Sequence, residues 1–225
     1  MKINKEINIP NDLSEITLDK FQMFKKYLTE EHSDIDINIY MVGLFCDLTL
    51  QEVRGLDKDD FVEISLLLTK TINKQSIFVD RFTLNGIEYG FIPNIDKMSF
   101  GEYIDLDTYI KNPDDMNKVM SILYRPIIKK SFGKYLIVDY TGEEDYTIMD
   151  KAPMNAVNGA MVFFYHLGSE LLKSIQNYLQ SELKILLASG QVSEKDGDGI
   201  VQCMQSLEDN LPILMKLLHT EYIKY

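Results

Sequence analysis

Asn85-Gly86 is the pair of residues that most narrows the fold. It stands between "RFTL" and "IEYGFI", two strand-like runs. In that setting Asn-Gly readily takes the positive φ angles of a type I′ turn, which closes an antiparallel hairpin. A second strand pair is expected from "IIKKSF" and "KYLIVDY", joined around Gly133. Both flanks of this region have helical period instead. The expected fold class is therefore α+β, predominantly α-helical, with central β-hairpins and a long C-terminal helical pair.

Thr17 is placed to cap a helix with Phe21, Phe24 and Leu28 on one face; Ser33 is placed to start another with Ile35, Ile39, Val42 and Phe45 in register. Thr49-Leu50-Gln51-Glu52 is a capping box, in which the Thr and Glu side chains satisfy free backbone N–H groups reciprocally, and Gly55 ends the helix it starts. A further helix is expected over 58–72, apolar on a broad face. No proline interrupts the chain between Pro153 and Leu187, and a continuous helix there would be about 50 Å long at ~1.5 Å per residue. A polar loop over 189–199 and a last helix from Val201 to Leu218 complete the expected pair. The chain thus divides into an N-terminal helical region (1–75), a hairpin and short-helix region (76–150) and a long helical hairpin (151–225), read as one continuous unit.

Between the hairpins lies "MSFGEYIDLDTYI". Ser99-Phe100-Gly101-Glu102 is a second capping box, so a helix should follow, broken at Asn112-Pro113. Asp114 should begin another helix that Pro126 ends. Phe100, Tyr103, Ile104 and Leu106 are expected to form its packed face, with the hydroxyls of Tyr103 and Tyr109 at the edge.

Lys and Arg number 23 against 35 Asp and Glu, a net charge of −12, which disfavours nonspecific binding of nucleic acid by the surface as a whole. Cys46 and Cys203 each sit in an apolar helical pattern, as buried thiols do. "MKINKEINIPNDLSE" has no apolar core of a signal peptide, and no run approaches the ~20 apolar residues of a membrane span, so a reducing cytoplasmic origin is expected. No nucleophile elbow, phosphate-cradling glycine loop or zinc-protease motif is present, and His32, His166 and His219 are far apart, so no enzyme and no cofactor is expected. The run "EKDGDGIVQCMQ" imitates a calcium loop at Asp196, Asp198 and Gly199, but Glu194 stands where Asp is expected and Gln205 replaces the bidentate Glu.

Charge is segregated in the middle of the chain. From Asn117 to Val138 there is no acid, yet Lys118, Arg125, Lys129, Lys130 and Lys134 all occur. The next twelve residues hold Asp139, Glu143, Glu144, Asp145 and Asp150 and no base. Adjacent patches of opposite sign suit a head-to-tail contact between copies. An ordinary hairpin with solvated charges, or a basic patch facing DNA, are the other readings of the same residues.

The order "FTLNGIEYGFIPN", then "MSFGEYIDL", then "MNKVMSILYRPI" resembles virion-associated proteins of tailed bacteriophages, most of all those of crAss-like phages infecting Bacteroidetes. The resemblance covers about 77–130, with "DLSEITLDKFQMFKKYL" a looser match. It implies a structural virion protein: a twelve-fold cyclic homo-oligomer in the neck or tail, beside portal or other neck and tail proteins, with DNA passing without specific binding and no membrane partner. A tail-assembly chaperone and a packaged internal protein are the alternatives. The residues expected to make contacts are Tyr103, Asp105, Tyr109, Tyr124 and Arg125, with Lys129, Lys130, Lys134, Glu143, Glu144 and Asp145 from the charged stretch. Arg125→Glu is expected to weaken assembly without unfolding the subunit.

Overall fold

Asn85 and Gly86 take φ angles of 51° and 77° in the computed structural model, which describes residues 6–167. That is type I′ geometry, and it pairs β1 (Arg81–Leu84) antiparallel with β2 (Ile87–Phe91). The second hairpin turns the same way. β3 (Tyr124–Ser131) and β4 (Lys134–Ile137) are joined through Phe132 (φ 47°) and Gly133 (φ 78°), with a bulge between Ile127 and Lys129. The two hairpins then combine. β2 pairs antiparallel with β3, Phe91 opposite Tyr124 and Gly90 opposite Arg125, giving one four-stranded sheet in the order β1-β2-β3-β4.

Helices make up most of the remaining regular structure: α1 (Leu18–Leu28), α2 (Asp34–Phe45), α3 (Leu50–Arg54), α4 (Lys58–Ile72), α5 (Phe100–Tyr109), α6 (Met116–Leu123) and α7 (154–167). The protein is α+β, mostly helical. Both capping boxes form, at Thr49/Glu52 and Ser99/Glu102. Ser33 also caps α2, whereas Thr17 stands at the N-cap of α1 with its hydroxyl donated to Asp19 instead. The chain divides into two compact units after Gly159, and α1 to α6 and the sheet all lie in the first.

The helical core is built from Phe21 and Phe24 of α1, Met41, Val42 and Phe45 of α2, Val53 of α3, and Ile64, Leu68 and Ile72 of α4. Each such side chain stabilises the fold by roughly 1.5–3 kcal/mol through burial. α1 leads to the sheet side through the turn at Tyr146–Lys151, which packs on both α1 and α6. Backbone bonds from Leu18 N to Ala152 O and from Met154 N to Ile16 O, both 2.9 Å, fasten the start of α7 to the segment before α1. Gly159 is required there: a Cβ would come 2.5 Å from the carbonyl oxygen of Ile77. Under the sheet, Phe78, Phe82, Phe91 and Tyr124 make an aromatic cluster with ring centroids 4.9–5.2 Å apart, and the Tyr124 hydroxyl donates to Val79 O at 2.6 Å.

Several expectations need correction. α6 does not run to Pro126. It ends at Leu123, and the chain passes into β3 without a loop, because Arg125 precedes a proline and is thereby held extended. Pro126 sits inside a central strand, which a missing N–H usually forbids. By the alternation of the ladder that N–H position faces β4, at the end of its pairing, where the Pro126 carbonyl takes the Val138 N–H at 3.0 Å. Ile35 is exposed, so the first turn of α2 does not share the core with Val42 and Phe45. α4 likewise buries one face and exposes Val62, Leu66 and Leu67 on the other.

Cys46 is buried, as expected, and burial first of all, then the neighbouring Asp47, pushes its thiol up to about 11. Among the described residues no helix is long and apolar enough to cross a membrane. The expected helix beyond 167, the 189–199 loop with its calcium-like run, the last helix, Cys203 and His219 lie outside the described residues.

Candidate interaction surface

The Ser99 capping box decides the chemistry of the corner where α5 meets the sheet. Glu102 accepts the Ser99 N–H at 2.6 Å, and its other oxygen faces Arg125 Nη1 at 2.6 Å. Both side chains are only 8% exposed. Burial acts most strongly on the Glu102 carboxyl and pushes its pKa up, but the Ser99 hydrogen bonds and the Arg125 charge outweigh it and hold the group below its ordinary value. The contact with Arg125 is close but off-line, so neither Nε nor Nη1 makes a well-angled hydrogen bond. The guanidinium lies 5.8 Å from the ring centroid of Tyr140.

One turn along α5, Asp105 accepts the Tyr140 hydroxyl at 2.6 Å. Burial first, then this hydrogen bond, pushes the phenol far above its ordinary range. In the turn that follows, the Tyr146 ring meets Tyr109 edge-on, with centroids 6.2 Å apart. Lys118 lies 4.7 Å over the Tyr109 ring and pairs with Asp115 at 2.7 Å. Side chains from α5, α6, β3 and the segment after β4 are thus drawn into one internal latch of carboxylate, phenol and cation.

Where the structure places the expected contact residues follows from this latch. Tyr124 and Arg125 lie inside the subunit, not on its surface. Asp105 and Tyr109 are half-buried and engaged internally. Tyr103 is exposed (61%), but the packed face it was expected to share is turned outward: Phe100 is 78% exposed and Ile104 is exposed too, while Leu106 alone of the four is buried. Of the charged stretch, Lys129, Lys134, Glu143 and Asp145 are exposed; Lys130, also exposed, pairs with Glu88 on β2. Glu144 accepts the Thr141 N–H at 2.8 Å and Asp145 the Thr147 N–H at 3.1 Å, so both shape their own loop.

Sequence reading missed the Glu102–Arg125 pair, because a capping glutamate looks complete without a partner 23 residues away. It also passed over Phe132. That residue is fully exposed at the tip of the β3–β4 hairpin, flanked by the exposed Ile128 and Leu136. Its signal was present: a large apolar residue directly before Gly133, in a two-residue turn where Asn, Asp or Gly would be expected.

The arrangement can hold itself together and can adhere. Among the described residues no group of three or more His, Cys, Asp or Glu is disposed to hold a metal ion. Compared with protein-family models, with curated proteins and with solved structures, the chain finds no match.

Proposed function

We infer that the chain is a structural subunit of a tailed-bacteriophage particle, assembling as a ring in the head-to-tail connector or tail. The observation that carries this reading is the inversion of polarity on the sheet side: a charged pair is buried at the α5 corner while Phe100, Phe132, Ile128 and Leu136 face outward. Two separate apolar projections on one subunit favour a contact in which each copy offers one surface and receives another, the arrangement that closes into rings. The likeness of 77–130 to virion-associated proteins of crAss-like phages supports the same reading, and the net charge of −12 suits a conduit that does not retain passing DNA. The long C-terminal helical pair belongs to this proposal, as a bundle or projecting arm of the ring subunit.

Native mass spectrometry of the purified chain at several concentrations and salt strengths, with proteomics of purified virions, tests it. A discrete, salt-sensitive ring and presence in the virion are expected. A monomer in solution that is also missing from virions would overturn the reading in favour of a tail-assembly chaperone. A protein that leaves the particle with its DNA would be internal cargo instead.

A further inference from the structure

We propose that the Phe132 hairpin of one copy docks into the groove between α1, α2 and α3 of a second copy of this chain. The inference rests on the ring reading and names the two surfaces that meet. The turn holds Phe132 at φ 47°, a conformation that Asn or Gly adopts with little strain and a bulky residue does not. The side chain gains nothing within its own subunit in return, since it is fully exposed. Around it stand Lys129 and Lys134, both exposed, and no acid occurs anywhere from Asn117 to Val138. The projection is apolar at its tip and positive at its base.

The groove has the complementary character. It is an open cleft of about 790 Å³ whose apolar lining comes from Met23, Tyr27, Ile39, Tyr40, Leu44 and Leu50. Met23 and Leu50 are each more than half exposed, so the cleft offers apolar area that its own subunit leaves uncovered. Tyr27 is stacked between His32 at 3.7 Å and Tyr40 at 4.0 Å, which makes one wall flat and stiff. Asp36, in the first turn of α2, lines the cleft, and Asp34 beside it and Glu30 and Glu31 of the α1–α2 connection are exposed as well. Lys20 and Arg54 also line the cleft, but Lys20 is paired with Asp47 at 2.7 Å. An aromatic tip ringed by lysines therefore meets an aromatic cleft edged with carboxylates.

Charge complementarity selects the occupant. The chain as a whole is strongly acidic, so copies repel unless the lysine hairpin of each is directed to acid on the next. Of the acids that follow the hairpin, Glu144 and Asp145 are occupied in their own loop, whereas Asp36 lines the groove and Glu31 and Asp34, close to it in sequence, stand exposed. Hairpin and groove are built by different elements, so the contact is head-to-tail and repeats around a closed ring.

Native mass spectrometry of the full chain reads the test. Phe132→Ser, and separately the double change Lys129→Glu with Lys134→Glu, should each weaken association at least about ten-fold, the second effect shrinking as salt rises. A Glu30→Lys, Glu31→Lys protein should also fail alone, yet form mixed rings with the lysine-reversed protein. Phe132→Cys mixed with Leu50→Cys should give a disulfide-linked heterodimer that neither gives by itself. Wild-type rings that persist through all these substitutions overturn this contact and leave the ring proposal standing. A wild-type chain that stays monomeric at every concentration overturns this contact even if the protein is found in virions. Phe132→Cys linking to itself would place hairpin tips together and overturn the head-to-tail arrangement.

Discussion

The two halves of β3 are a controlled comparison within one strand. Its first two residues, Tyr124 and Arg125, are buried, and its last four, from Ile128 to Ser131, are exposed. The buried half holds a cation, matched by Glu102 and covered by Tyr140; the exposed half holds an isoleucine and leads to a phenylalanine in a left-handed turn. Ordinary partition between core and water would reverse those placements. The buried pair is a matter of stability, because every partner it has lies in its own subunit. Of these exposed residues Lys130 pairs with Glu88 on β2, but Ile128 and Phe132 gain little or no burial within the isolated subunit.

The largest effect expected from this contrast is at Arg125. Arg125→Glu sets a second carboxylate against Glu102 in a buried corner, and losing one partner of such a pair costs about 3–5 kcal/mol. The urea midpoint should fall accordingly, and the loss of assembly should follow from loss of the fold. An unchanged midpoint with assembly lost would return Arg125 to the surface role expected from sequence.

Glu102→Gln is the milder probe of the same corner. Glutamine preserves the shape of the cap but not the charge, and a hydrogen bond to a charged group contributes about 1.5–3 kcal/mol. Because the Glu102 pKa lies below its ordinary 4.5 in the folded chain, its contribution is complete above 4.5 and is lost as pH falls through the folded value. The gap in stability between wild type and Glu102→Gln should therefore be widest near neutral pH and close in acid. A gap that stays constant down to pH ~3 would show that shape and not charge was lost.

The sequence made the local pieces legible and their assembly less so. Asn85-Gly86 dictated its hairpin, and Ser99 and Glu102 dictated where α5 starts, since each depends on residues within four positions. The β2–β3 pairing joins residues separated by the whole of α5 and α6, and nothing local encodes it. Helical spacing marked Phe100, Tyr103, Ile104 and Leu106 as one apolar group but could not say which side faces the core. That is set by Glu102, whose pairing with Arg125 turns the Leu106 side inward and leaves Phe100 outside. Of the contact residues expected on α5 and β3, Asp105, Tyr109 and Arg125 were thus brought together by the fold, but as an internal latch.

Gly90, on β2 opposite Arg125, lies beside the stretch where β3 passes from one regime to the other. A Cβ there would come 2.4 Å from Cε2 of Tyr135 and 3.0 Å from Cγ1 of Ile127. The Tyr135 ring cannot simply swing away, because its hydroxyl is bonded to Phe91 O at 2.8 Å. Gly90→Ala should cost about 1–3 kcal/mol, as overpacking does, and should raise exchange of the β3–β4 amides before those of α1 and α2. Uniform loss of protection across the molecule would mean that the hairpin and the helical core unfold as one, and would blunt the contrast between the halves of β3.

The smallest expected effect has the opposite sign. Phe132→Asn replaces a bulky residue at φ 47° by one that tolerates that conformation, at no cost in burial because Phe132 is fully exposed. The isolated subunit should gain about 1 kcal/mol in urea melts run at concentrations too low for association. The same substitution should weaken assembly, since it removes the aromatic tip. A stability gain joined to an assembly loss is what a residue kept for a partner produces, whereas a residue kept for the fold loses stability when it is replaced. If Phe132→Asn instead destabilises the lone subunit, the hairpin tip packs on its own chain, and the division of β3 into an inward and an outward half ends short of the turn.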